Sequence, residues 1–275
     1  MNRTSLDQKT RIINCLVEGN SIRSTERITG THRDTIIRLL VRVGNGCQYI
    51  TDRSMRQLNC QRIQVDEIWT FVQKKQHHMT VNDNPQRSGD MWTFVALDAD
   101  TKLVPAYRVG KRDLYTAVLF MKDLSDRLTN RVQISSDALR AYVDATEQAF
   151  GADVDYGQIV KSYEAEPIGP GRYSPPKVVS ATKETISGVP DLRHISTSYV
   201  ERQNLTMRMS PRRFTRLTNA FSKKIENLKA AVALHFAHYN FVRVHRALRV
   251  TPAMEAGIEN RIWSIRELVG LADSN

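Results

Sequence analysis

The stretch Arg62-Ile63-Gln64-Val65-Asp66-Glu67-Ile68-Trp69-Thr70-Phe71-Val72 carries Ile63, Val65, Ile68, Phe71 and Val72 with two acids at its centre. A short apolar run of this kind reads as a buried strand. An acid inside such a run is costly unless a cation meets it. A second run, Val132-Gln133-Ile134-Ser135-Ser136-Asp137, is also apolar and ends in an acid. A third acid, Glu201 in Ser198-Tyr199-Val200-Glu201-Arg202-Gln203-Asn204, sits in a stretch that reads as helix. Two strand ends closed by a helix would gather carboxylates into an oxygen-ligand set suited to hard divalent cations.

Working outward, a polar loop over residues 74–90 leads to a second strand, Met91 to Leu97, closed by the turn signal Asp98-Ala99-Asp100-Thr101. Leu103 to Val109 reads as a third, with Pro105 marking an edge or an irregular spot. The period then changes: Leu114, Val118, Leu119, Met121, Leu124 and Leu128 recur at helical spacing. The fourth strand is 132–137, a helix follows over 138–150, and 153–160 reads as a fifth strand. Residues 162–191, with Pro167, Gly169, Pro170, Gly171, Pro175, Pro176, Gly188 and Pro190, read as one long loop beside the site. Beyond His194 the chain is helical again. Tyr199, Leu205 and Met209 share a face, Phe214 and Leu217 follow Pro211, and Leu228, Val232, Leu234, Phe236 and Tyr239 mark a second long helix. The order βββαβαβ, closed by a helix, predicts an α/β fold with a ribonuclease-H-like mixed sheet and flanking helices. Carboxylates on its first and fourth strands become neighbours.

Upstream, residues 5–43 read as three short helices. Ser5 with Gln8 fits a capping box, Ser21 can cap the second helix, and Thr29-Gly30 makes a tight turn. Thr31 with Asp34 can cap the third, whose Ile36, Ile37, Leu39, Leu40 and Val43 face inward before Gly44 ends it. This is a helix-turn-helix layout, a small all-α unit that would present His32, Arg33 and Thr35 to base edges and Arg38 and Arg42 to phosphates. The organisation predicted is a helix-turn-helix domain over 1–45, a linker over 46–60, a catalytic domain over 61–222 and a C-terminal helical extension over 223–275.

The charge has a location. The 275 residues carry a net +11. Residues 1–62 hold eleven Lys and Arg against five acids, and residues 202–249 hold eleven against one. A surplus of this kind favours a polyanionic partner. The three cysteines, Cys15, Cys47 and Cys60, form no Cys-x-x-Cys pair, which argues against a disulfide framework and a Cys-based zinc finger. No apolar run approaches the ~20 residues of a membrane span, and the polar start lacks a signal-peptide pattern, so a cytoplasmic protein is expected. Phosphate-loop and serine-hydrolase motifs are missing. His235, His238 and His245 read as a helix surface rather than a metal site.

Cleaving a phosphodiester requires activating a poor nucleophile and neutralising charge on the leaving oxygen, work that two divalent ions ~3.5–4 Å apart perform. Asp66, rigidly placed on a strand, is the natural bridging ligand, with Asp137 and Glu201 each holding one ion. Glu67, being adjacent on the strand, is expected to point to the opposite face. Asp98, Glu184 and Asp191 are lesser rivals.

These residues resemble the DDE transposases of bacterial insertion sequences, most closely the family named for the first insertion sequence described. The resemblance runs from Gln61 to about Gly257. It is carried by Val65-Asp66-Glu67-Ile68-Trp69-Thr70-Phe71-Val72, by Ser135-Ser136-Asp137 and by Tyr199-Val200-Glu201-Arg202-Gln203-Asn204-Leu205-Thr206. Arg212-Arg213-Phe214-Thr215-Arg216, His238-Tyr239-Asn240-Phe241-Val242-Arg243-Val244-His245 and Thr251-Pro252-Ala253-Met254 support it. The resemblance implies Asp66, Asp137 and Glu201 as catalytic and metal-binding triad, with Mg2+ as cofactor and Mn2+ able to substitute. It implies hydrolysis at transposon ends to free a 3′-hydroxyl, which then attacks target DNA. Double-stranded DNA is the partner, held by a homo-oligomer in the bacterial cytoplasm, with no membrane. Arg208, seven residues past Glu201 on the same helix face, is expected to contact DNA, as are Arg212, Arg213, Arg216 and Arg243. The zinc finger that many relatives carry ahead of the helix-turn-helix is not expected, since this sequence has neither the room nor the cysteines for it. Two other readings stay open: a helix-turn-helix regulator with a degenerate nuclease-like domain, and a nuclease without strand transfer.

Overall fold

The computed structural model describes residues 4–164, 177–216 and 218–274. Three helices come first: α1 (Leu6–Val17), α2 (Ile22–Thr29) and α3 (Arg33–Ser54). A meander follows, of β1 (Arg62–Val72), β2 (Gly89–Asp98) and β3 (Ala106–Gly110). The chain then alternates through α4 (Leu114–Ser125), β4 (Val132–Asp137), α5 (Arg140–Phe150) and β5 (Val154–Glu164), and adds β6 (Lys177–Ser187). It closes with α6 (Ser198–Met209), α7 (Ile225–Phe241), α8 (Pro252–Glu255) and α9 (Ile265–Ser274).

The strands form one six-stranded mixed sheet in the order β3-β2-β1-β4-β5-β6. β1 runs antiparallel to β2 and parallel to β4, β4 is parallel to β5, and β6 returns antiparallel along β5. Helices cover both faces. On one, Ile63, Val65, Phe94 and Ile134 meet Phe120, Met121 and Leu124 of α4 and Tyr142 and Ala145 of α5. On the other, Ile68, Val72, Met91 and Val95 meet Val200 and Met207 of α6 and Leu228, Val232 and Phe236 of α7. Helix α7 is buried nearly all round, as expected of a helix that is apolar on every side. It lies between the sheet and α3, pinned at its far end by Asn240. That side chain accepts from the Val104 N–H (3.1 Å) and donates to the Val104 carbonyl (2.9 Å).

Several expectations need correction. The third helix does not end at Gly44 but runs to Ser54, across most of the expected linker. Gly44 and Gly46 are contact points, not terminators. A Cβ on Gly44 would collide with the Ala230 backbone of α7, and one on Gly46 with Ala272 of α9. The N-cap of α3 is His32, whose Nδ1 accepts from the Asp34 N–H at 3.3 Å, while the Thr31 hydroxyl accepts from the Gln8 side chain at 2.8 Å. Within the expected loop over 162–191, residues 162–164 end β5 and 177–187 form β6, paired antiparallel with it. Its β-branched residues, Val178, Val179, Thr182, Thr185 and Ile186, are mostly exposed, so no burial pattern disclosed the strand. The prolines and glycines from Pro167 to Pro176 lie outside the described residues, as does Leu217. On α6 the buried face is Val200, Gln203 and Met207. Tyr199, Leu205 and Met209 point outward, and the Lys102 ammonium stands 3.5 Å over the Tyr199 ring. His235 is buried rather than on a surface, 7% exposed, against Gln203. No helix among the described residues is long and apolar enough to cross a membrane.

Candidate metal centre

The parallel pairing of β1 with β4 is short, from Arg62 opposite Gln133 to Gln64 opposite Ser135. Carried two residues further, the same register would set Asp66 opposite Asp137. The ladder stops first, so the two carboxylates stand where the strands part, Asp66 just past the parallel pairing in mid-β1 and Asp137 at the carboxyl end of β4. In open α/β sheets ligands bind outside the carboxyl ends of strands. One oxygen each of Asp66, Glu67 and Asp137 lies within 4.8 Å of the others.

Each acid is held differently. Asp66 accepts from the Glu67 N–H through Oδ1 and from the Asn204 amide through Oδ2, both at 2.8 Å. Burial, with Asp137 and Glu201 adding negative charge, pushes its carboxyl up to about 6 against those two donors. Glu67 does face the α4–α5 side, where Arg112 (2.8 Å) and the Tyr142 hydroxyl (3.0 Å) donate to it. Even so, its carboxylate reaches the other two. Burial and the charges of Asp137 and Asp66 push it up to about 7 despite Arg112. Asp137 accepts from the Leu139 N–H at 3.1 Å, which turns the chain from β4 into α5.

Glu201 is on the first turn of α6 and stands outside this group. Its carboxylate accepts from the Thr197 hydroxyl at 2.6 Å and from Lys161 of β5, yet it lies near enough to raise Asp66. Helix α6 is docked by Gln64, whose side-chain oxygen accepts from the Tyr199 (2.8 Å) and Val200 (3.1 Å) N–H groups. The lesser rivals have structural work: Asp98 caps a turn through Thr101, Asp191 pairs with Arg193, and Glu184 is exposed on β6.

Three carboxylates with a single guanidinium among them, Asp66 and Glu67 raised first by burial and then by neighbouring negative charge, form a donor set that fits a hard divalent cation. Sequence reading set Glu67 aside and gave Asn204 no role. The i, i+3 spacing of Glu201 and Asn204, which puts both on one helix face, is the signal that could have found the latter.

The proposed nucleic-acid contacts fall into two places. His32, Arg33 and Arg38 are exposed at the start of α3, the half-buried Thr35 hydroxyl accepts from Arg38 (3.3 Å), and Arg42 pairs with Asp273. Arg212, Arg216 and Arg243 are exposed. Arg208 donates to the Phe214 carbonyl (3.3 Å) and Arg213 to the Ser222 hydroxyl (3.0 Å), and burial lowers both guanidiniums to about 10. Among the described residues, no Lys or Arg between 202 and 249 has a carboxylate partner within 4.0 Å. No protein-family model and no curated protein matches this sequence.

Proposed function

We propose that this chain is a metal-dependent DNA transposase built on a ribonuclease-H-like core. The observation that carries the reading is the meeting of Asp66 and Asp137 where β1 and β4 part, near a helix that brings Glu201 and Asn204. Strand order and mixed pairing support the same reading.

Magnesium or manganese ions held by Asp66 and Asp137, with Glu201 completing the set, would activate the attacking oxygen and neutralise the leaving one. The chain supplies the rest. Asn204 and the Glu67 N–H fix the Asp66 carboxylate in one orientation. Arg112 and Tyr142 hold Glu67 where it adds negative charge without being free to move. In the first reaction a water oxygen bonds to phosphorus and the 3′-oxygen leaves with a proton. In the second, that 3′-hydroxyl attacks a target phosphodiester and displaces its 3′-oxygen. The unpaired cations after Glu201 would hold the DNA backbone, and two ends joined in one event call for an oligomer.

The test is incubation with supercoiled DNA carrying the flanking ends, with Mg2+, comparing the wild type with Asp137→Asn. Nicked and joined products are expected from the wild type alone, with end binding kept in both. Products from Asp137→Asn would overturn the site. Binding without products favours the regulator reading, and cleavage without joining favours the simple nuclease.

A further inference from the structure

A second concave site lies away from the carboxylates. A cavity of about 840 Å³ opens between the N-terminal helices, the segment from Pro211 to Lys223, and α7. Its lining joins apolar side chains, Ile37 and Leu40 of α3, Leu234 of α7 and Phe221, with the cations Arg23, Arg33, Arg212, Arg213 and Lys223, and Asp34 is the one acid among the described lining residues. Arg33 stands 3.9 Å from Asp34, and the other four have no carboxylate partner among the described residues.

We propose that this cavity seats an unpaired nucleotide of the bound DNA, its base against Phe221 and its flanking phosphates on those cations. This rests on the DNA-processing reading above. Volume argues against a duplex: about 300–1,000 Å³ is the range of pockets that enclose a small ligand. Apolar and cationic side chains lining one cavity match a base with its phosphates, since every base has a face that stacks on aromatic or apolar side chains. Phe221 is half-buried and lies 4.7 Å from the Phe71 ring, itself 5.8 Å from Trp69. An aromatic row therefore runs from the cavity along β1 toward the acids.

The cavity wall is tied to the strand that carries Asp66. Ser222 bridges to Val72, the Gln73 N–H donates to the Ser222 carbonyl at 2.8 Å, and the Thr70 hydroxyl lies 3.5 Å from the Arg213 carbonyl. Thr70 is four residues beyond Asp66, about 13 Å along a strand. A nucleotide held here would fix the register of the strand passing over the metal site.

The experiment uses the full chain in chelator, so that binding is read without cleavage. Fluorescence anisotropy compares a blunt duplex with the same duplex bearing a short single-stranded tail containing 2-aminopurine. The tailed duplex is expected to bind about tenfold tighter, with its 2-aminopurine quenched by stacking. Phe221→Ala should abolish both the preference and the quench while blunt-duplex affinity holds, and Phe221→Tyr should keep them. Lys223→Ala should lower the salt dependence of tailed-duplex binding by about one ion. Equal or undetectable binding of the two duplexes, or a preference that survives Phe221→Ala, overturns the proposal. Nicking with Mg2+ is scored separately, so a chain that prefers tails but never nicks keeps the cavity and loses the enzyme.

Discussion

The end of the sheet and the wall beyond α6 carry opposite uncompensated charge. At the sheet end, Asp66, Glu67 and Asp137 crowd together with Arg112 as the one cation on the group, and Arg112 serves Glu67. At the last turn of α6 and just after it, the half-buried Arg208 and the buried Arg213 set their guanidiniums against a carbonyl and a hydroxyl, with no carboxylate partner among the described residues. A fold selected for stability alone would let these charges meet, because a lone buried charge is expensive. Here they do not pair. The difference is what the proposed function calls for, a small cation in one region and an anionic polymer in the other.

The largest effect expected is at the sheet end. Asp66→Asn or Asp137→Asn should reduce DNA cleavage by more than the about 10–100-fold typical of residues that only support metal ligands, measured as nicking of supercoiled DNA at saturating Mg2+. The metal-free variants should also be more stable than the wild type, since repulsion is relieved. A loss of both stability and activity would break the contrast.

Second comes Asn204→Ala, which removes the amide holding Asp66 Oδ2. Activity should fall about tenfold, with a higher Mg2+ requirement that excess metal partly restores. A titration of rate against Mg2+ checks it, and a loss that metal leaves unchanged would contradict it.

In the wall, Arg213→Met should leave folding stability equal or raise it by about 1 kcal/mol, because an unpaired buried charge is replaced by apolar volume. DNA affinity should fall and its salt slope drop by about one. Denaturant titration and binding at several salt concentrations test the two halves.

The smallest effect is in the pH profile of the metal-free protein. Asp66 and Glu67 are raised in the fold to about 6 and about 7, so they bind protons more tightly than when unfolded, and stability grows as pH falls through those values. His235 and His238 are lowered, to about 3 and about 4, first by burial and then by neighbouring cations. The unfolded chain therefore takes up their protons first, and stability is lost as pH falls below the unfolded value near 6.5. The two trends oppose in the wild type. Asp66→Asn should expose the histidine loss as a steeper decline below about pH 6.5, read by denaturant unfolding in chelator. Parallel profiles would contradict it.

The centre of the sheet is legible in the sequence because burial imposes a period. Ile63, Val65, Ile134 and Val132 must alternate or cluster, and the acids among them are conspicuous for that reason. Strand β6 is not legible, since its side chains face solvent and no burial pattern constrains them. Nor is the length of α3, because Gly44 and Gly46 read as stops until α7 and α9 are seen pressed against them. The site is half legible. Asp66 and Asp137 follow from acids set in apolar strand runs, but Glu67 joins them only in three dimensions, where its carboxylate comes within 4.8 Å of theirs. Asn204 is visible only once α6 is laid over β1.

The most direct test of the cation site is anomalous diffraction from crystals soaked in Mn2+. The account predicts a peak bounded by oxygens of Asp66 and Asp137 that disappears in Asp137→Asn. A fully soaked wild-type crystal with no peak between those carboxylates would contradict it.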